Sequence, residues 1–236
     1  MGKIKENNWH LIWNKKQLDP ALAPTLEQLI ALDGFDSPFS GINKTEFWLS
    51  YIESIATKLQ ITSNDSIFEV GCGAGAFLYP FYQQGNQVAG IDYSFNLVNI
   101  SKKVIPQGNI TVGEAIDIPL NNTFDCVISH GVFLYFPNYE YADIVLNKML
   151  KIATRVIGIF DIPDLAKKAE SIRRRKALMG AEEYEQKYKG LEHLYYSKDW
   201  FKQVLANEPV EVVIEDQNFT NYGNSQHRFN VLVYKK

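Results

Sequence analysis

The feature that most constrains the fold is a glycine-rich segment, EVGCGAGA, at residues 69–76. An apolar run over residues 67–70 leads into it, and apolar side chains at helical spacing follow it until Gly85. Glycines between a strand and a helix let a ligand approach the backbone, and the helix N-terminus offers unpaired N–H donors. The segment therefore predicts a ligand-binding turn between a strand and a helix.

Short β-rich runs alternate with helical patterns after this turn, which is typical of a parallel sheet covered by helices on both faces. The predicted strands cover residues 67–70, 88–91, 110–112, 124–129, 155–161, 210–214 and 229–234. The pattern predicts a Rossmann-like, doubly wound α/β fold.

Two regions depart from the alternating pattern. Residues 1–60 have helical spacing throughout, and residues 164–196 include a strongly charged stretch typical of an inserted amphipathic helix or helix pair. We therefore predict an N-terminal helical cap at 1–60 and a core at 61–236, with a helical lid insertion at 164–196.

Composition limits which binding partners and which cellular compartment we expect for the chain. A net charge of −3 gives no overall attraction to nucleic acid. Cys72 and Cys126 lie in predicted strand or strand-end segments, which fits a reducing cytoplasm and neither a disulfide framework nor a metal site. No apolar run approaches the roughly 18 residues of a membrane span. We expect a cytoplasmic protein without a membrane anchor or bound metal.

The glycine segment alone leaves two kinds of ligand open. Its spacing satisfies the dinucleotide pattern G-x-G-x-x-G/A, and Asp92 falls about where that pattern needs a ribose-binding acid. Glu69 argues against a pyrophosphate, because a carboxylate beside the loop repels an anion and suits a cationic amino group. Nearly 70 residues also precede the loop, whereas a dinucleotide-binding domain often opens with its first strand. Both observations favour an amino-acid nucleoside.

Two later segments strengthen that reading, GEAIDIP at residues 113–119 and FDCVISHG at residues 124–131. With EVGCGAGA they resemble the class I S-adenosylmethionine-dependent methyltransferases, over roughly residues 65–163 and the closing strands. The resemblance implies a seven-stranded sheet with an antiparallel last strand. It also implies S-adenosylmethionine as cofactor and S-adenosylhomocysteine as product.

The resemblance assigns roles to individual positions. Asp92 would take the ribose hydroxyls, Glu114 would read the adenine amino group, and the glycine loop would hold the methionine part. Glu114 departs from the aspartate more common there, which affects only the adenine contact. The implied cofactor-binding residues are Glu69, Gly71, Cys72, Gly73, Gly75, Asp92, Tyr93, Glu114, Ala115, Ile116, Ser129 and His130.

Two residues are candidates for catalysis. His130 ends the fourth predicted strand, where an imidazole can deprotonate a hydroxyl or amine near neutral pH. Asp161 ends the fifth and can orient the acceptor, or it can only cap the turn before Pro163. Proximity and alignment alone also suffice for a methyl group on an activated sulfonium.

Aromatic and basic residues flank the predicted site. Candidates for a lid or an acceptor contact are Trp9, Trp13, Phe133, Tyr135, Tyr195 and Tyr196. For the tryptophans and the tyrosine pair, ordinary packing is the competing interpretation. The basic run at residues 167–176 is a solvated helix face, a nucleic-acid patch, or a source of arginines that close over an anionic acceptor.

The functional hypothesis is a small-molecule methyltransferase that acts on oxygen or nitrogen by direct displacement. Methylation of RNA or protein is the first alternative. An NAD-dependent oxidoreductase and a non-catalytic cofactor-binding protein are the others.

Overall fold

The computed structural model describes residues 8–19, 23–35 and 43–236. Its helices are α1 Asn8–Asn14, α2 Leu26–Leu32, α3 Lys44–Leu59, α4 Leu78–Gln83, α5 Phe95–Val104, α6 Tyr139–Ile152, α7 Lys168–Met179, α8 Ala181–Tyr188 and α9 Lys198–Val204. Its strands are β1 Ser66–Val70, β2 Gln87–Asp92, β3 Asn109–Val112, β4 Phe124–His130, β5 Ala153–Pro163, β6 Val210–Asp216 and β7 Arg228–Lys235. The strands predicted from the sequence are all present, each slightly longer than expected.

The strands form one seven-stranded sheet in the order β3-β2-β1-β4-β5-β7-β6. The pairs from β3 to β5 are parallel, whereas β7 is antiparallel to both β5 and β6. The predicted doubly wound α/β fold is confirmed. Strand order reverses between β1 and β4, and a ligand crevice is expected there, beyond the carboxyl ends of the strands.

Helices cover both faces of the sheet. One apolar cluster joins α3, α4 and α5 to the sheet through residues such as Trp48, Phe81 and Val98. The other joins α6 and α9 through residues such as Val145 and Phe201. These apolar layers fix the strand ends that carry the site.

The N-terminal region is helical where the structure describes it. Thr25 and Gln28 form a capping box at the start of α2, and Asn43 caps α3. Residues 1–7, 20–22 and 36–42 of the predicted cap lie outside the described residues. The division into cap and core remains a prediction, since α3 packs on the sheet itself.

The charged insertion forms the helix pair α7 and α8. A β-bridge between Asp164 and Tyr196 closes its base against the sheet. Gly180 has a φ of 92° between the two helices, which a glycine adopts without strain.

Within the described part of the chain, no helix has the length and apolarity to cross a membrane. The same residues contain no group of three or more His, Cys, Asp or Glu side chains placed to hold a metal ion.

Candidate functional site

A pocket that is partly open to solvent lies at the carboxyl ends of β1, β2, β3 and β4. Helix α1 and the end of α2 contribute to its wall. It is lined by Trp9, His10, Trp13, Asp33, Phe35, Glu69, Gly71, Cys72, Gly73, Phe77, Ile91, Asp92, Tyr93, Leu97, Gly113, Glu114, Ala115, His130, Gly131, Val132, Tyr135, Phe136, Pro137 and Tyr141.

The glycine turn after β1 has backbone angles that require glycine. Gly71 and Gly73 have φ values of 77° and 50°. A Cβ atom at Gly71 would collide with the Val132 side chain, and one at Gly73 would collide with Asp33 Oδ1. The turn is therefore built both for positive φ and for close approach of neighbouring groups.

The amides of this turn all donate to acceptors inside the protein. Gly71 and Cys72 donate to the Ile91 carbonyl, and Gly75 donates to the Cys72 carbonyl. The remaining donors of residues 71–76 are the Gly73 amide, bonded to Asp92 Oδ2, and the Ala74 and Ala76 amides, bonded to Asp33.

Asp33 directly follows α2, and its carboxyl group contacts the turn that leads into α4; the sequence did not mark it as a site residue. Its Oδ1 accepts the Ala74 N–H at 2.7 Å and its Oδ2 accepts the Ala76 N–H at 3.0 Å. Burial raises the pKa of Asp33 to about 7, and nearby Asp92 adds to this although both amides oppose it. Asp33 thus joins the end of α2 to the glycine turn.

Asp92 ends β2 beside the turn, as predicted. Its Oδ1 accepts the Ser94 N–H at 2.8 Å and its Oδ2 accepts the Gly73 N–H at 3.0 Å. A carboxylate has about four acceptor positions, so two remain for ligand hydroxyls. Burial, with a smaller contribution from the charge of Glu114, raises the pKa of Asp92 to about 6.

Glu114 follows β3 and contacts two helices. Its Oε1 lies 2.7 Å from His10 Nε2 on α1, and its Oε2 accepts a hydrogen bond from the Tyr141 hydroxyl at 3.2 Å. The His10 ring also lies 4.2 Å from the Tyr93 ring. These contacts hold α1 over the β2 and β3 ends, where the cofactor adenine is expected.

Three buried polar atoms of pocket residues have no hydrogen-bond partner among the described residues: Trp13 Nε1, Glu69 Oε2 and His130 Nδ1. Burial raises the pKa of Glu69 well above its usual value, and Asp33 and Asp92 add to the shift. Unsatisfied buried polar groups are costly and rare. Their concentration around one pocket fits a polar ligand, and Glu69 Oε2 suits a part of it that carries positive charge.

His130 lies in an aromatic environment at the end of β4. Its Nε2 is 2.9 Å from the Tyr51 hydroxyl, and its ring stacks on Phe77 with centroids 5.3 Å apart. Burial lowers the pKa of His130 to about 3, because no nearby carboxylate compensates for the lost hydration. The imidazole is therefore neutral at physiological pH.

Asp161 occupies an irregular position in β5. Its φ is 60°, and the pairing of β5 with β7 shifts register between Ile159 and Ile162. The Asp161 carboxyl group accepts from Gln217 Nε2 at 3.3 Å and lies 3.5 Å from Arg228 Nε. We call Asp161, Gln217 and Arg228 the Asp161 cluster.

The pocket has an aromatic wall made by the N-terminal helix and the segment after β4. The Trp9 ring lies 4.8 Å from the Tyr135 ring, and the Trp13 ring lies 5.4 Å from it. His193, at the end of the insertion, stacks on Trp9 with centroids 4.9 Å apart and an interplanar angle of 9°. The sequence did not indicate His193 as part of this wall.

Most of the predicted site residues line this pocket. Those present are Trp9, Trp13, Glu69, Gly71, Cys72, Gly73, Asp92, Tyr93, Glu114, Ala115, His130 and Tyr135. The predicted residues outside its lining are Gly75, Ile116, Ser129, Phe133, Asp161, Tyr195 and Tyr196.

Packing explains several residues that lie outside. A Cβ atom at Gly75 would approach Ser101 Oγ to 2.8 Å, so this glycine allows close packing of α5. Ser129 Oγ donates to the Val70 carbonyl within the sheet. Tyr196 is fully buried and its hydroxyl donates to the Phe133 carbonyl, so this aromatic pair belongs to the core.

The remaining three have local partners of their own. The Ile116 amide donates to the Tyr141 hydroxyl, and the Tyr195 carbonyl accepts from the Tyr139 hydroxyl. Asp161 lies on the far side of Gly131 from the pocket, since a Cβ atom on Gly131 would lie 3.8 Å from Asp161 Oδ2.

The fold and the pocket together define a class of protein. A doubly wound sheet with an antiparallel β7, a glycine turn after β1, and acids at the ends of β2 and β3 is the arrangement of a nucleoside-binding α/β domain. The acidic groups around the turn further indicate a cationic ligand.

Part of the chain matches known methyltransferase sequences. Residues 68–157 match a family model described as "Methyltransferase domain". An uncharacterized methyltransferase of Alkaliphilus oremlandii (strain OhILAs) is 31% identical over 107 residues, which are 43% of this chain and 50% of that protein. The chain thus spans about half the length of this curated relative.

Solved structures share the fold across most of the chain. A magnesium protoporphyrin IX methyltransferase from Synechocystis PCC 6803 with bound S-adenosylmethionine covers 97% of this chain and 89% of its own, with TM-score 0.57 and 12% identity. An S-adenosylmethionine-dependent methyltransferase from Clostridium acetobutylicum aligns over 83% of this chain and 93% of its own, with TM-score 0.61 and 10% identity. The plantazolicin methyltransferase BpumL aligns over 86% of this chain and 87% of its own, with TM-score 0.60 and 19% identity.

Over residues 68–157 the chain is therefore similar to methyltransferases, and its fold is that of solved S-adenosylmethionine-dependent methyltransferases.

Proposed function

We propose that this chain transfers the methyl group of S-adenosylmethionine to an oxygen or nitrogen of a small-molecule acceptor by direct displacement. The observation that carries the proposal is the convergence, in one pocket, of the glycine turn, the strand-end acids Asp92 and Glu114, and buried polar atoms without partners. Similarity to S-adenosylmethionine-dependent methyltransferases supports the cofactor class, and helix α1 across the pocket supports a small acceptor.

The charge of the pocket supports a cationic cofactor over a dinucleotide. A pyrophosphate binds to free amides at a glycine turn. Here the amides of residues 71–76 already donate to protein acceptors, among them the carboxylates of Asp33 and Asp92. Burial together with mutual repulsion raises the pKa of Asp33, Glu69 and Asp92, so a positive charge nearby would relieve that repulsion.

Each part of the cofactor has residues suited to hold it. The free acceptor positions of Asp92 suit two ribose hydroxyls, and Glu114 beside Tyr93 suits the adenine amino group and ring. Glu69 Oε2, buried without a partner among the described residues, suits the ammonium of the methionine part next to Gly71.

When bound, S-adenosylmethionine supplies a methyl group on a positively charged sulfur. The wall of Trp9, Trp13 and Tyr135 excludes water from the neighbouring space and so removes a competing nucleophile. A pKa near 3 makes His130 a poor base, which supports a role for its imidazole in alignment. Asp161, behind Gly131, is the nearer candidate for orienting the acceptor.

Enclosure supports a small acceptor over RNA or protein. Helix α1 lies across the pocket, held by the His10–Glu114 contact and by a hydrogen bond from the Tyr93 hydroxyl to the Trp9 carbonyl at 3.4 Å. Two neighbours of the same fold are named for magnesium protoporphyrin IX and plantazolicin.

The experiment that tests this proposal is calorimetric titration with S-adenosylmethionine, S-adenosylhomocysteine and NAD in parallel. We expect both adenosyl ligands to bind and NAD not to bind. A screen of small hydroxyl, carboxyl and amine compounds for S-adenosylhomocysteine formation then tests turnover. Binding of NAD alone would contradict the proposal, and turnover with RNA that weakens steeply with salt would replace the small acceptor by a nucleic acid.

A further inference from the structure

The backbone at Asp161 is held in a conformation that an L-residue rarely adopts. Its φ of 60° accompanies a register break against β7, and its amide donates to Asn230 Oδ1 at 3.1 Å. A β-bulge turns a side chain away from its regular direction, and strained positions of this kind concentrate at functional sites. The surrounding structure therefore fixes the direction of this carboxyl group.

The Asp161 cluster lies directly behind the pocket. Gly131 lines the pocket, and a Cβ atom on it would lie 3.8 Å from Asp161 Oδ2. The absence of a side chain at Gly131 leaves the carboxyl group one atomic layer from the cavity. This is the end of the pocket that faces β4 and β5, away from Asp92 and Glu114.

The Asp161 carboxyl group has better-bonded partners than Arg228. Gln217, 2% exposed, donates from Nε2 to Asp161 Oδ1 at 3.3 Å, and Tyr222 also hydrogen-bonds to the Asp161 carboxyl group. Arg228 is 3% exposed, and its contacts to Asp161, from Nε to Oδ1 and from Nη1 to the carbonyl, are both 3.5 Å long. A guanidinium has five donors, and buried donors that bond weakly are suited to a further acceptor.

A second arginine adds positive charge at the same end. Arg175 on α7 donates from Nη1 to His193 Nδ1 at 3.1 Å, and His193 stacks on Trp9 of the pocket wall. Burial, Arg175 and Arg228 together lower the pKa of His193, which keeps this ring neutral. Arg228 and Arg175 both lower the pKa of Asp161, which burial raises, so two guanidinium charges act on one carboxylate at this end.

We propose that Arg228 and Arg175, with Asp161 as the fixed counter-charge, form a subsite that recognises a carboxylate on the methyl acceptor. The inference rests on the proposed function and names its substrate class. A carboxylate offers two oxygens in the geometry that a guanidinium binds best. The acidic groups at the cofactor end repel the same carboxylate and so direct the acceptor to the arginine end.

The test uses the protein saturated with S-adenosylhomocysteine and three probes with one skeleton. The probes are 3-phenylpropanoate, 3-phenylpropanamide and 3-phenylpropylamine, titrated by calorimetry. We expect the carboxylate to bind about tenfold more tightly than the amide, the size of effect that one charge-assisted hydrogen bond gives, and the amine to bind most weakly.

Two substitutions on the same helix separate the subsite from general charge. Arg175→Gln should reduce propanoate binding about tenfold, because the half-buried guanidinium contributes directly. Arg174→Gln, its exposed neighbour, should change it less than twofold. Both variants should bind S-adenosylhomocysteine as the unmodified protein does, which also shows that they are folded.

The inference is overturned if the amine binds most tightly, or if the dissociation constants of the three probes lie within twofold of one another. It is also overturned if none of the probes binds, or if Arg175→Gln and Arg174→Gln change propanoate binding equally. In each of these cases S-adenosylhomocysteine still binds, so the proposed function stands. Failure of S-adenosylhomocysteine itself to bind contradicts the proposed function and this inference together.

Discussion

The two ends of the pocket are built in different ways although they share one sheet. At the cofactor end, the glycine turn, Asp92 and Glu114 each come from a single strand end. At the acceptor end, the carboxyl group of Asp161 meets Gln217 and Arg228, which lie 56 and 67 residues further along the chain. The first end depends on local turns, and the second depends on how β6 and β7 pack.

The charges of the two ends are also opposite. Asp33, Glu69, Asp92 and Glu114 line the cofactor end, whereas Arg228 and the more distant Arg175 outnumber Asp161 at the other. A pocket with this polarity orients a cationic cofactor and an anionic acceptor in one direction. A substitution at one end should therefore leave the ligand of the other end nearly unaffected.

The largest effect is expected for Asp92→Ala. Loss of two charge-assisted hydrogen bonds to ribose hydroxyls should weaken S-adenosylhomocysteine binding about 100-fold, roughly 3 kcal/mol, as measured by calorimetry. Asp117→Ala, an exposed acid after β3, is the matched control and should have no effect.

Asp92 also accepts the Gly73 and Ser94 amides, so the melting temperature of the variant must be measured as well. Asp92→Asn keeps one acceptor oxygen, so its dissociation constant for S-adenosylhomocysteine should lie between those of the unmodified protein and Asp92→Ala. An unchanged dissociation constant in a folded Asp92→Ala variant would remove this residue from the cofactor end.

A smaller effect, about tenfold, is expected from pH. The pKa of Asp33 is raised to about 7 and that of Asp92 to about 6, so between about pH 4 and pH 7 the folded protein holds protons that a bound cation must displace. Affinity for S-adenosylmethionine should therefore rise from pH 5.5 to pH 7.5. S-adenosylhomocysteine, which lacks the sulfonium charge, should show a shallower rise.

The ratio of the two dissociation constants isolates this effect, because both ligands carry the same amino group. Asp33→Asn should flatten the pH dependence of the ratio. A ratio that stays constant with pH in the unmodified protein would mean that the sulfonium lies beyond the influence of these carboxyl groups.

The sequence predicted the cofactor end better than the acceptor end for a physical reason. A strand, a glycine turn and a strand-end acid are each encoded within a few residues, so their order gives the sheet and places Asp92 and Glu114 in one crevice. Asp33 escaped prediction because it lies 41 residues before Ala74 in the chain, and only the packing of α2 brings its carboxyl group to the turn.

Aromatic residues were the weakest basis for prediction. Phe133 and Tyr196 were expected near the acceptor and instead pack against Phe201 in the core, 1% and 0% exposed. Tyr135, two residues after Phe133, does line the pocket. Spacing along a short turn does not specify which ring faces inward, because the tertiary packing of α9 decides it.

The smallest effect, about threefold, is expected for Asp161→Asn, and it has the opposite sign to a simple loss of function. Asparagine adopts the left-handed conformation as readily as aspartate, so the bulge should persist. Removal of the negative charge leaves Arg228 more available, and binding of 3-phenylpropanoate should become about threefold tighter. S-adenosylhomocysteine should bind as before, since Asp161 lies outside the cofactor end. Weaker propanoate binding in this variant would mean that the Asp161 carboxylate holds Arg228 in its binding position, and that geometry outweighs charge at the acceptor end.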